Sequence, residues 1–149
     1  MIEMHTTKST EGTISLAGAF ALSLQRGNVV ALYGDLGSGK TQFVKGVCRT
    51  FKAHTPVTSP SFVILKRYDG VDKIGNELLM YHFDLYRVKS ITELYDLGYE
   101  EFLQGDGICL IEWAEMLGDL LPERRYDVRL SAGAGENERR IEISEVGKQ

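Results

Sequence analysis

The sequence predicts an α/β fold, a central mixed sheet flanked by helices, on three observations. Apolar strand-like and helix-like stretches alternate early in the chain. Hairpin-like pairs separated by turns appear later. A glycine-rich loop joins one apolar run directly to a helix-like stretch. With 149 residues, 43% of them hydrophobic, the chain suits a single domain over residues 1–149 with a substantial core.

Each element has a local reason. Ile14, Ala17, Phe20, Ala21 and Leu24 fall close to one helical face, with Ser9 and Thr10 as caps and Gly27 as the stop. Asn28 to Tyr33 is an apolar strand, followed by the loop Gly34 to Thr41 and a helix to about Phe51. Lys52 to Ser61 contains Pro56 and Pro60 and should be irregular. Phe62 to Tyr68 and Glu77 to Asp84 read as strands joined by a turn-rich stretch holding Asp69-Gly70 and Gly75-Asn76. Ser90-Ile91-Thr92-Glu93 has the capping-box form and opens a short helix interrupted near Gly98. After Gly105-Asp106-Gly107, Ile108 to Trp113 is nearly continuously apolar, as a central strand covered on both faces would be. Tyr126 to Leu130 and Arg139 to Ser144 form a hairpin around Ala132 to Asn137. No repeat, low-complexity tract or interdomain linker is present.

The loop Gly34-Asp35-Leu36-Gly37-Ser38-Gly39-Lys40-Thr41 matches G-x-x-x-x-G-K-[ST] in the strand, loop, helix setting that motif requires. Its glycines allow successive backbone N–H groups to turn inward around phosphate oxygens, and the helix that follows adds its positive N-terminal end. Asp35, Leu36, Gly37, Ser38, Gly39, Lys40 and Thr41 are therefore the candidate nucleotide cradle in a P-loop NTPase-like sandwich. Lys40 is placed for the β/γ-phosphates and the Thr41 hydroxyl for Mg²⁺. A glycine-rich turn alone would need neither. The absence of an N-K-x-D-like guanine-reading motif favours ATP.

Two acids stand at strand ends, Asp84 after Leu79 to Phe83 and Glu112 after Ile108 to Ile111. In a phosphate-loop sheet such a carboxylate holds Mg²⁺ or orients the attacking water; elsewhere it merely caps a strand. His82 shares a strand face with Asp84, and a lone strand histidine is more often structural. Val57 to Phe62, rich in hydroxyls around Pro60, reads as a turn or as a segment that senses the γ-phosphate.

The net charge of −4 and a pI of about 5.4 leave no broad basic surface, which disfavours direct nucleic-acid binding. No apolar run approaches a membrane span and no signal core opens the chain, so a cytoplasmic protein is expected. Cys48 and Cys109 lack metal-ligand spacing and read as core residues. A rival reading is a small kinase with Arg124, Arg125 and Arg129 as its phosphate lid; a third is a non-hydrolysing, nucleotide-sensing adaptor.

The phosphate loop, Ser59-Pro60-Ser61-Phe62, His82-Phe83-Asp84-Leu85-Tyr86-Arg87 and Ile111-Glu112-Trp113 occur in order and at spacings that resemble the bacterial TsaE family, formerly called YjeE. The resemblance covers nearly the whole chain, and its later motifs are far more specific than the loop. Ser38 and Ser61 depart from the family's usual alanine and threonine. The resemblance implies an ATPase needed for N6-threonylcarbamoyladenosine formation at position 37 of tRNAs reading codons that begin with A. It implies that the chain acts on a TsaB–TsaD complex, with tRNA contacted only through that complex. By motif, Lys40, Asp84 and Glu112 are the implied catalytic residues, with Lys40 on phosphate and Asp84 essential for hydrolysis. Thr41 and Glu112 are implied at Mg²⁺, Arg139 near the nucleotide, and Ser9 to Thr13 beside the base.

Overall fold

Seven strands in the order β1-β7-β6-β2-β5-β4-β3 form one mixed sheet. The structure, a computed structural model, describes residues 2–58 and 64–147. The strands are β1 (Ile2–Thr7), β2 (Val29–Tyr33), β3 (Leu65–Val71), β4 (Glu77–Asp84), β5 (Ile108–Glu112), β6 (Arg125–Ala132) and β7 (Arg139–Val146). The helices are α1 (Thr10–Ala21), α2 (Lys40–Thr50), α3 (Ile91–Leu97) and α4 (Tyr99–Leu103), with single-turn 3-10 helices at Ala114–Met116 and Gly118–Leu120. Strands β6, β2, β5 and β4 run parallel, while β3 at one side and β7 and β1 at the other pair antiparallel.

The side-chain period of two sorts the central strands between two cores. Val30, Leu32, Ile108 and Leu110 join the cluster under α1 and α2. Val29, Ala31, Cys109 and Ile111 join the cluster under α3, α4 and the 3-10 turns. Every residue of β5 is buried, which explains its continuous apolar run. Even-numbered positions on β4 and β5 therefore face α2. Asp84 pairs in register with Glu112, and His82 with Leu110. Cys48 and Cys109 are buried free thiols, and burial pushes both up to about 12.

Gly46 of α2 is buried against α1; a Cβ there would lie 2.6 Å from the Ala17 Cβ and closer still to the Ile14 carbonyl oxygen. The two helices approach closely because this position carries no side chain.

Several local expectations change. The N-terminal strand β1 is an addition, an edge strand whose short alternation of Ile2 and Met4 with Glu3 and His5 leaves the apolar residues exposed. Ser9 does cap α1, accepting from the Gly12 N–H at 2.9 Å, but the helix ends at Ala21, well before Gly27. Asp69-Gly70 is not a turn. Gly70 lies within β3 opposite Leu78, and the reversal comes at Asp72, whose Oδ1 accepts from the N–H groups of Ile74 and Asn76. The expected capping box at α3 does not form, since Ser90 makes no side-chain cap and Glu93 reaches one residue past it to accept from the Lys89 N–H. Ser59-Pro60-Ser61-Phe62 and the start expected for the third strand lie outside the described residues. Among the described residues, no helix is long and apolar enough to cross a membrane.

Candidate functional site

A cavity of about 620 Å³ opens at the carboxyl ends of the parallel strands, where doubly wound sheets hold their ligands. The loop, α1, and the ends of β4, β5 and β7 meet there. Leu36, Gly37, Gly39, Lys40, Thr41, Asp84, Glu112 and Arg139 all line it, as do Ser9, Thr10 and Thr13. The side chains of Asp35 and Ser38 do not; Ser38 N–H donates to the Asp35 carbonyl at 3.1 Å, closing the turn of the loop. The buried Ser38 hydroxyl has no hydrogen-bond partner among the described residues.

The loop keeps its shape through glycine. Gly37 and Gly39 hold φ of 78° and 106°, which side chains resist, and a Cβ on Gly34 would press within 2.6 Å of the Leu130 carbonyl oxygen. Gly39 precedes the first turn of α2, whose free N–H groups face the loop.

Lys40 opens α2 and is 4% exposed. Its ammonium donates to the Gly34 carbonyl, and to the Asp35 carbonyl at 3.0 Å. It stands 4.3 Å from the centre of the Trp113 ring, a cation–π contact. Burial lowers its pKa, while the charges of Glu112, Glu115, Asp84 and Asp35 resist that shift.

The two strand-end acids differ in surroundings. Glu112 is 4% exposed, and its Oε2 accepts from the Thr41 hydroxyl at 3.0 Å and from His82 Nε2 at 2.6 Å. Asp84 lies beside it, with Oδ1 accepting from the Tyr86 N–H at 3.0 Å. Burial holds the Asp84 carboxyl above its ordinary value; the Tyr86 N–H pulls it back, and the Glu112 charge pushes it further up. Thr41 hydroxyl and Glu112 carboxylate are hard oxygen donors side by side, a set that suits Mg²⁺. Among the described residues no group of three or more His, Cys, Asp or Glu side chains is arranged to hold a metal.

Arg139 reaches the loop because β7 pairs with β6, with Ala132 opposite Arg139, and β6 lies beside β2, the strand that leads into the loop. Its guanidinium donates to the Gly37 carbonyl at 3.1 Å. The hydroxyls of Thr7 and Thr13 bond at 2.8 Å and fix the start of α1 on the same side. The cavity also takes in residues to which sequence reasoning assigned no function: Gln42, Ile64, Tyr86, Arg87, Trp113 and Asn137. Trp113 holds φ of 59°, a left-handed conformation rare for a bulky residue, and stacks 4.8 Å from Tyr86. Its position directly after a strand-end acid was the available signal.

The arginines considered for a kinase lid lie elsewhere. Arg124 and Arg125 line a separate depression near the start of β2, with Arg125 paired to Asp127 at 2.8 Å. The Arg129 guanidinium sits 4.4 Å from the centre of the Tyr33 ring. None of the three lines the main cavity.

Comparison with known proteins follows the same pattern. The family model for threonylcarbamoyl adenosine biosynthesis protein TsaE matches residues 7–141. The chain is 39% identical over 144 residues to the tRNA threonylcarbamoyladenosine biosynthesis protein TsaE of Bacillus subtilis, covering 96% of this chain and 85% of that one. It is 42% identical over 130 residues to the protein of that name from Rickettsia conorii, covering 87% and 71%. The crystal structure of Bacillus subtilis YdiB superposes with a TM-score of 0.77 at 34% identity, over 99% of this chain and 87% of that one. A seven-stranded α/β sandwich, a phosphate loop facing two strand-end acids, and this likeness along almost the entire chain place the protein in the TsaE family.

Proposed function

We propose that this chain binds and hydrolyses ATP as a single domain, to sustain N6-threonylcarbamoyladenosine formation at position 37 of tRNAs reading codons that begin with A. The observation that carries the reading is the convergence of the loop, Asp84, Glu112 and Arg139 on one cavity. Family membership supplies the pathway. TsaB and TsaD are the proposed partners, tRNA is met only through them, and the −4 net charge suits a protein surface better than a phosphate backbone. A cytoplasmic setting fits the two buried free thiols.

The loop N–H groups from Asp35 to Thr41 and the N-terminus of α2 cradle the phosphates, and Lys40 adds a fixed positive charge beneath them. Thr41 and Glu112 hold Mg²⁺, which when bound neutralises charge on the phosphate oxygens. Asp84 orients the attacking water and accepts its proton; a carboxyl held above its usual range is the better base. Arg139 closes the nucleotide side of the cavity, and Ser9, Thr10 and Thr13 face the base. Water attacks the γ-phosphorus, and ADP and inorganic phosphate leave.

The test is a tRNA modification assay with purified TsaB, TsaD and threonylcarbamoyl-adenylate, with and without this protein and ATP. Multiple turnovers only when both are present, with phosphate release faster in the presence of the complex, are expected. Transfer of labelled γ-phosphate to a small acceptor would instead mark a kinase.

A further inference from the structure

His82 is fully buried, and its Nε2 lies 2.6 Å from Glu112 Oε2. An ionised carboxylate only accepts, so Nε2 carries the hydrogen and donates it. At 2.6 Å the bond is shorter than the roughly 2.7–2.9 Å usual for charge-assisted N–H···O pairs. On the other side of the ring, Nδ1 faces the Tyr68 hydroxyl at 3.3 Å, and that hydroxyl also lies 3.3 Å from the Thr58 carbonyl oxygen. Tyr68 is itself 3% exposed, so the ring is held on both edges by buried partners.

The bond has a geometric consequence. The terminal torsion of a glutamate is broad, and a carboxylate with one partner can turn about it. With Oε2 held by both His82 and Thr41, Oε1 is left to Thr41 and whatever occupies the cavity. Mg²⁺ demands near-ideal octahedral geometry, so the orientation of a ligating carboxylate matters more for it than for larger cations.

Resting on the reading that Thr41 and Glu112 hold Mg²⁺, we propose that His82 is a positioning residue that locks the Glu112 carboxylate for the cation, with Tyr68 fixing the ring. Loss of such a supporting hydrogen bond weakens metal affinity by about 10- to 100-fold. A histidine that only satisfied a buried carboxylate would alter stability and leave the Mg²⁺-dependent part of nucleotide affinity intact.

The experiment is calorimetric titration of the full chain with an unhydrolysable ATP analogue, in Mg²⁺ and in EDTA, for the parent, His82→Leu, His82→Gln and Tyr68→Phe. His82→Leu should lose about tenfold or more in Mg²⁺ and little in EDTA. His82→Gln, whose amide nitrogen can replace Nε2, should recover most of that loss, and Tyr68→Phe should show a smaller loss confined to Mg²⁺. Equal losses in the two buffers, or a folded His82→Gln as weak as His82→Leu, would overturn the proposal. Should His82→Leu fail to fold, Tyr68→Phe decides: parent-like Mg²⁺ dependence there overturns it. A parent protein whose nucleotide affinity ignores Mg²⁺ brings down the underlying metal reading, a failure visible without any variant.

Discussion

Replacing Gly46 with alanine tests whether the close approach of α1 and α2 holds the site together. The new Cβ would fall 2.6 Å from the Ala17 Cβ and nearer still to the Ile14 carbonyl oxygen. Neither neighbour is a flexible side-chain end, and Ala17 is fully buried, so the helices must separate. Overpacking a well-packed core costs roughly 1–3 kcal/mol, and a clash with backbone belongs near ~3. Alanine returns about 1 kcal/mol of helix propensity over glycine. The net loss is about 2 kcal/mol. A chain of this length loses about 2–4 °C of Tm per kcal/mol, so Tm should fall by about 4–8 °C. Thermal unfolding followed by circular dichroism, without nucleotide, reads this directly. Because α1 brings Thr13 and α2 brings Lys40 to the cavity, nucleotide affinity should fall as well. A Tm equal to or above the parent's would show that helix propensity outweighs the clash and refute the packing argument.

Lys40→Ala removes the principal side-chain charge beneath the phosphates and should weaken nucleotide binding by about tenfold or more, with hydrolysis lost; unchanged phosphate release would unseat the assignment. Glu112→Ala should weaken binding in Mg²⁺ more than in EDTA, and titrations showing equal losses would count against a ligand role. Burial raises the folded-state pKa of Asp84 above 3.8, so its ionised form destabilises the fold above that raised pKa, and the cost vanishes as pH falls through 3.8. Asp84→Asn keeps an acceptor for the Tyr86 N–H, so in metal-free buffer it should be more stable than the parent at about pH 7, with the gap closing by about pH 3. Equal denaturant midpoints at the higher pH would contradict this, and its phosphate release should be lost throughout.

Local pattern carried most of the architecture. The apolar run of β5, the motif geometry of the loop and the alternation of β4 each follow from one short stretch, so they are legible in it. Strand order is not, because β2 lies between β5 and β6, strands that come far later in the chain. β1 is not legible either, because its alternation spans only Ile2 to His5 and its apolar residues face solvent at the sheet edge rather than a core. Asp69-Gly70 looks like a turn, yet it lies in a strand because β3 pairs residue by residue with β4 from Leu65 to Val71. At the site, the shared face of His82 and Asp84 followed from the strand period alone. That His82 would bond Glu112 required the adjacency of β4 and β5, which only the tertiary fold supplies.

The pairing of β1 with β7 has a consequence for synthesis. Among the described residues β1 pairs with no strand but β7, so residues 2–7 can join the sheet only after residues 139–144 exist. The same late strand delivers Arg139 to the Gly37 carbonyl, 102 positions away. A chain still emerging from the ribosome can thus present the phosphate loop and both strand-end acids while the far wall of the cavity is missing. Closure of the cavity therefore waits on β7, the latest in sequence of the strands described above, whichever parts of the sheet assemble first.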